Sequence, residues 1–129
     1  MSRKDSREKV FQLVFEFCFS GEKNELSLEN ALSEIKSEDD KKYVSDVYLG
    51  VVQNFDVLKN AIIEKTTGFS FDRIFKVDLA IMLVALYEIR FYNIPEAVAI
   101  NEAVDIAKKY STEKSANYVN GVLAGLVKK

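Results

Sequence analysis

The stretch Val77-Asp78-Leu79-Ala80-Ile81-Met82-Leu83-Val84-Ala85-Leu86-Tyr87-Glu88-Ile89-Arg90-Phe91 is apolar almost all round when wound at 3.6 residues per turn. A surface helix shows one apolar stripe, whereas a helix apolar on nearly every side must be surrounded by other elements. The near-continuous apolar run Leu79 to Tyr87 is far shorter than the roughly 18 residues that span a bilayer. It therefore predicts a buried central helix and not a membrane segment. Asn93 and Pro95 end it, because proline disfavours a helical residue before it and donates no hydrogen bond to continue the ladder.

Working outward, apolar residues recur mostly at three- and four-residue spacing, and no Asn-Gly hairpin separates alternating strand-like runs. A first helix over about Arg3 to Phe19 places Val10, Phe11, Val14, Phe17 and Cys18 on one face, with Gly21 closing it. A short second helix follows Ser27. Ser37 begins a third, with Tyr43, Val44, Val47, Tyr48 and Val51 inward and Asp39 and Asp40 near its positive end. Asp56 is placed to cap a fourth helix through Ile62 and Ile63, and Thr66, Thr67, Gly68 and Ser70 make an internal break between two subdomains. Phe71 to Phe75 reads as an aromatic turn into the central helix. A sixth helix carries Ile100, Ala103, Val104 and Ala107. Ser111 or Thr112 caps a seventh, with Val119, Val122, Leu123, Leu126 and Val127 inward. The expectation is an all-α, compact bundle of about seven helices in two packed sub-bundles, with residues 1–129 as one domain.

Composition narrows the function. A chain of 129 residues with nine Phe and six Tyr can bury a core without a staple. The single cysteine, Cys18, forms no internal disulfide and lies in an apolar run, which suits a reducing cytoplasm. Charged residues from Arg3 to Lys9 leave no room for a secretory signal. With no histidine, the commonest general base, metal ligand and triad member is missing. No phosphate-cradling GxxxxGK[ST] or GxGxxG loop occurs, and consecutive acids such as Glu38, Asp39 and Asp40 diverge on a helix. A non-catalytic protein without metal or cofactor is expected. The net charge of −2 gives no global basic field, yet Gly21 to Asp40 carries net −5, which leaves +3 elsewhere and allows a local RNA contact.

Two constellations break local rules. Arg3, Lys4 and Arg7 lie at the positive end of the first helix dipole, and Arg3 and Arg7 repel at i, i+4. Fraying would tolerate this conflict, and a phosphate backbone would relieve it. In the last helix Asn117, Gly121 and Gly125 share a face, each interior glycine costing about 1 kcal/mol relative to alanine. Close approach of another helix backbone would offset that, with Asn120 bonding across the contact. Asn101 and Glu102 are placed to cap or bridge helix ends, and Tyr118 either stacks on a base or packs.

The string Ile94-Pro95-Glu96-Ala97-Val98-Ala99-Ile100-Asn101-Glu102-Ala103-Val104, followed by Ala107-Lys108-Lys109-Tyr110 and Asn117-Tyr118-Val119-Asn120-Gly121-Val122-Leu123, closely resembles the NusB transcription antitermination factors. Arg7-Glu8 with Gln12, and Ala85-Leu86-Tyr87-Glu88-Ile89, extend the resemblance over nearly the whole chain. It implies two helical sub-bundles and joint binding, with the ribosomal protein NusE, of the boxA element of nascent ribosomal RNA, helping RNA polymerase pass terminators. It also implies RNA contacts at Arg3, Lys4, Arg7, Lys114 and Tyr118, and NusE docking around Asp72, Arg73 and Asp78. Two departures stand out: the arm has fewer arginines than many relatives, and Met82-Leu83 replaces a common Leu-Arg pair. Both imply lower RNA affinity without the partner.

Other readings stay open at this point. One is a purely protein-binding helical module. Another is an RNA-capture domain like those fused to ribosomal-RNA cytosine methyltransferases, although the chain ends at Lys129 with no such catalytic domain. Some relatives also form homodimers that cover their RNA surface, and the residues leave monomer and homodimer both open.

Overall fold

The structure is a computed structural model and describes residues 2–66 and 75–127. Among the described residues there are seven helices and no strand: α1 Arg3–Ser20, α2 Glu25–Ser33, α3 Glu38–Gln53, α4 Phe55–Lys65, α5 Lys76–Phe91, α6 Glu96–Tyr110 and α7 Glu113–Val127. Helix α5 is the axis of the fold. It packs against α1, α3, α4, α6 and α7, and every residue from Leu79 to Leu86 is buried. Helices α1 and α3 form one layer on it, with α2 packed against those two, and α4, α6 and α7 form the other. Helix α4 precedes the expected break yet packs on α5 and α7, so the division between sub-bundles lies before α4. Thr67, Gly68 and Ser70 of that break, and Phe71 to Ile74 of the aromatic turn, lie outside the described residues. No described helix is long and apolar enough to cross a membrane.

Local chemistry sets the helix ends. Gly21 adopts φ 72°, in the left-handed region that favours glycine, and its N–H donates to the Phe17 carbonyl. Helix α2 starts before Ser27 because Asn24 is the cap: its side chain accepts from the Ser27 N–H at 3.0 Å. Asp56 is not a cap either. It sits in the first turn of α4, and Asn54 occupies the cap position while donating its Nδ2 back to the Gly50 carbonyl at 2.8 Å. Thr112, not Ser111, caps α7, its Oγ1 accepting from the Ser115 N–H at 3.0 Å. Between α5 and α6, Asn93 turns the chain with φ 54°, a left-handed conformation asparagine tolerates better than most residues.

The inward stripe expected on α3 is complete, with Tyr43, Val44, Val47, Tyr48 and Val51 fully buried. Helices α3 and α5 approach closely at Gly50, where a Cβ would overlap the hydroxyl-bearing edge of the Tyr87 ring. Glycine there lets α3 settle against α5. Among the described residues the expected close approach at Gly121 and Gly125 does not occur: nothing there lies within 4 Å of a Cβ at Gly121, and at Gly125 only the Lys65 side chain comes to 4.0 Å.

Candidate nucleic-acid interface

The basic first turn of α1 resolves its own conflict. Ser2 and Asp5 form a capping box: the Ser2 Oγ accepts from the Asp5 N–H at 3.2 Å, and the Ser2 N–H donates to Asp5 at 3.1 Å. Asp5 thus places a negative charge at the positive end of the helix. Arg7, expected at a solvent-facing RNA surface, is 5% exposed. Its Nε lies 3.2 and 3.0 Å from the two Glu88 oxygens. Burial pushes the Glu88 carboxyl up, and Arg7 opposes that shift through charge and hydrogen bonding. Arg7 is thus spent on the core, anchoring α1 to α5.

Arg3 and Lys4 stay on the outside, but each is engaged. The Arg3 guanidinium lies 4.2 Å over the Tyr43 ring, and its Nε is 3.6 Å from Asp40. Tyr43 is buried and offers Arg3 a ring face. Lys4 Nζ reaches across to α6, 2.9 Å from Asp105 and 3.5 Å from Glu102. The hydrogen bond to Asp105 leads in holding the Lys4 ammonium above its ordinary pKa, and the charges of Glu102 and Asp105 add to it. One turn further on, Lys109 Nζ is 2.9 Å from Glu8, and Gln12 donates to the Tyr110 hydroxyl at 3.2 Å. Helix α1 is therefore laced to α6 by polar pairs along its outer flank.

At the other end of α5, Ser115 at the start of α7 donates to Asp78 at 3.1 Å. Asp78 is 3% exposed, and its other oxygen has no hydrogen-bond partner among the described residues. Burial pushes its carboxyl up, against the pull of the serine hydrogen bond. Lys114 is exposed beside Ser115, with no ion-pair partner among the described residues, while Tyr118 is half-buried with its hydroxyl pKa raised by burial. Asp72 and Arg73 lie outside the described residues. The candidate residues thus fall into two groups. Arg3, Lys4 and Arg7 gather where Glu88 holds α1, and Lys114, Tyr118 and Asp78 gather where Ser115 meets α5. Ten residue steps along α5, from Asp78 to Glu88, separate the anchors by about 15 Å.

Sequence reasoning missed an aromatic ridge on α1. Phe11, Phe15 and Phe19 are spaced i, i+4, i+8, with successive ring centroids 6.0 and 5.0 Å apart. The ridge climbs from the buried Phe11 to Phe19, which is 65% exposed and has Lys76 Nζ 5.8 Å from its ring. Phe75, beside Lys76, is 68% exposed. The i, i+4 spacing was visible, but it lies beside the main inward stripe and shows outward exposure only once α5 is in place. Cys18, next to this ridge, is half-buried, and burial pushes its thiol up to about 11, which argues against a nucleophile. No group of three or more His, Cys, Asp or Glu is placed to hold a metal among the described residues.

Comparison with known proteins agrees with this architecture. The NusB family model matches residues 4–128. The chain is 41% identical to the transcription antitermination protein NusB of Clostridium botulinum (strain Alaska E43 / Type E3), covering 100% of both. T. maritima NusB superposes with a TM-score of 0.91 at 31% identity, covering 100% of this chain and 92% of that one. A chain in a crystal structure of the antitermination factors NusB and NusE in complex with dsRNA superposes with a TM-score of 0.86. At 24% identity, over 96% of this chain and 94% of that one, it speaks for the fold. With the family model matched over residues 4–128 and a relative 41% identical over its whole length, this chain belongs to the NusB family.

Proposed function

We propose that this chain is an RNA-binding adaptor of transcription antitermination, acting as one cytoplasmic domain that binds boxA RNA together with NusE and joins the RNA polymerase complex. The observation that carries the proposal is the family match across residues 4–128, whose relatives are transcription antitermination proteins. The fold is also the one found in a complex of NusB and NusE with dsRNA. The adaptor turns nothing over. Its residues supply no histidine, and the work is joint presentation of two surfaces. Arg3, Lys4, Lys114 and Tyr118 form the RNA surface, three cations for phosphates and one ring for a base. Arg7 belongs to the same surface as a positioning residue, holding the first turn of α1 in place through Glu88. The NusE-docking surface is the N-terminal end of α5, with Phe19 and Phe75 exposed there and Asp78 buried in its first turn as a positioning residue; Asp72 and Arg73, which precede α5 in the sequence, are assigned to the same partner.

A gel shift with boxA RNA, with and without NusE, tests this directly. RNA retained by the chain, and retained more strongly with NusE, is the expected result. The exposed Phe19 and Phe75 favour a second reading, a purely protein-binding module, because large exposed aromatics suit a protein partner. NusE binding with no RNA shift in either lane would select that reading.

A further inference from the structure

The two outward cations of the α1 arm do not face solvent alone. Lys4 is held by a pair of acids from another helix: Asp105 at 2.9 Å and Glu102 at 3.5 Å, both on α6 and three residues apart on one face. The two acids differ in character. Asp105 is half-exposed, with 51% of its side chain accessible, whereas only 23% of the Glu102 side chain is. The Glu102 oxygen nearest Lys4 is itself buried and has no hydrogen-bond partner among the described residues. Lys4 is the sole cation within ion-pair reach of that oxygen among the described residues. Moving Lys4 away leaves a desolvated carboxylate oxygen without its counter-charge, so the pair resists opening. Lys114, at the far end of the proposed RNA surface, has no such partner among the described residues.

We propose that Glu102 and Asp105 set the RNA affinity of this chain by competing with phosphate for Lys4, so that RNA binds the arm only by displacing two carboxylates of the protein's own α6. This rests on the RNA-binding function proposed above. The acids act twice. They occupy the Lys4 ammonium in the free chain, and they repel a phosphate that approaches it. Both effects weaken binding without altering which residues touch the RNA. Partner binding or high RNA concentration overcomes them; nothing in the chain has to unfold.

The test is a double-mutant cycle on boxA RNA affinity, measured by fluorescence anisotropy at low salt with NusE present. Four chains are compared: wild type, Glu102→Gln with Asp105→Asn, Lys4→Ala, and all three changes together. A fifth chain, Glu29→Gln with Glu64→Gln, makes the same change in net charge on α2 and α4. The α6 double variant is expected to bind about three- to tenfold more tightly, the range that one or two exposed ion pairs span. The gain should vanish in the Lys4→Ala background, and the α2/α4 control should stay within about twofold of wild type. Unchanged affinity in the α6 variant overturns the inference. So does a gain that survives Lys4→Ala or is matched by the control, since either makes it a bulk charge effect. A chain that binds no RNA in any variant, with NusE present, fails the proposed function and takes this inference with it. A chain that binds RNA but ignores the α6 changes fails this inference alone.

Discussion

Three glycine and arginine positions carry opposite signs that only their surroundings decide. Gly121 lies inside α7 with open space where a Cβ would stand. Gly121→Ala therefore removes a helix-interior cost of about 1 kcal/mol and meets no clash. A rise in Tm of a few degrees in thermal denaturation is expected, and a fall would mean that the glycine serves the fold after all. At Gly50 the same substitution drives a methyl group into the Tyr87 ring. Gly50→Ala should cost about 1–3 kcal/mol in urea unfolding, the usual size of overpacking a core. The two glycines of α7 announced a propensity cost in the sequence, while Gly50 passed unnoticed among polar and apolar neighbours. Propensity is a local property; the ring that makes Gly50 necessary is 37 positions away. Arg7 taught the same lesson. Its charge and its place in a basic run were legible, but the acid that captures it lies on α5. Arg7→Ala leaves the buried Glu88 carboxyl without its partner, and should cost about 3–5 kcal/mol. If RNA binding falls without that loss of stability, Arg7 touches RNA directly.

Helix α5 shows how an element divides its tasks along its length. Its middle is core, its C-terminal half holds α1 through Glu88, and its first turn holds α7 through Asp78. The central position was readable, because few helices are apolar on nearly every side and those that are must be enclosed. The outer turns were not, since an acid in a first turn looks the same whether it faces solvent, as helix-dipole preference allows, or a buried serine. Burial lifts the Asp78 carboxyl above its ordinary value of about 3.9, so the folded chain holds that proton more tightly than the unfolded one. Its contribution to stability is then complete below that value and declines as pH rises through the folded pKa. The Tm of Asp78→Asn relative to wild type should accordingly rise between pH 4 and pH 7. A difference that is flat or falls with pH would place Asp78 in a solvated site. Phe19 belongs to the same scale, as the exposed end of an aromatic ridge on α1. Phe19→Ser should leave stability within about 0.5 kcal/mol while weakening NusE capture in a pull-down; unchanged capture would move the docking surface elsewhere.

Across the whole molecule, net charge says little and its arrangement says more. The chain carries −2 overall, yet the proposed RNA surface offers cations at two places, Arg3 and Lys4 near the Glu88 anchor and Lys114 beside the Asp78 anchor. The class of fold and the family were legible across nearly the whole length, because helical periodicity and the Ile94–Leu123 motifs repeat the same message locally. The geometry of the surface was not, because it depends on which cations the protein's own acids engage. The salt dependence of RNA binding reads that geometry. If three phosphates of single-stranded RNA are neutralised, one by each of Arg3, Lys4 and Lys114, log affinity should fall with log salt at a slope of about −2. Lys4→Ala and Lys114→Ala each remove one phosphate contact and should each flatten the slope by about 0.7. Their anchors stand about 15 Å apart along α5, beyond the distance at which substitutions ordinarily couple, so the two effects should add. The double variant, left with Arg3 alone, should then fall to a slope of about −0.7, on the same per-phosphate value. A slope that stops changing after the first substitution would mean that RNA occupies only one end of the molecule.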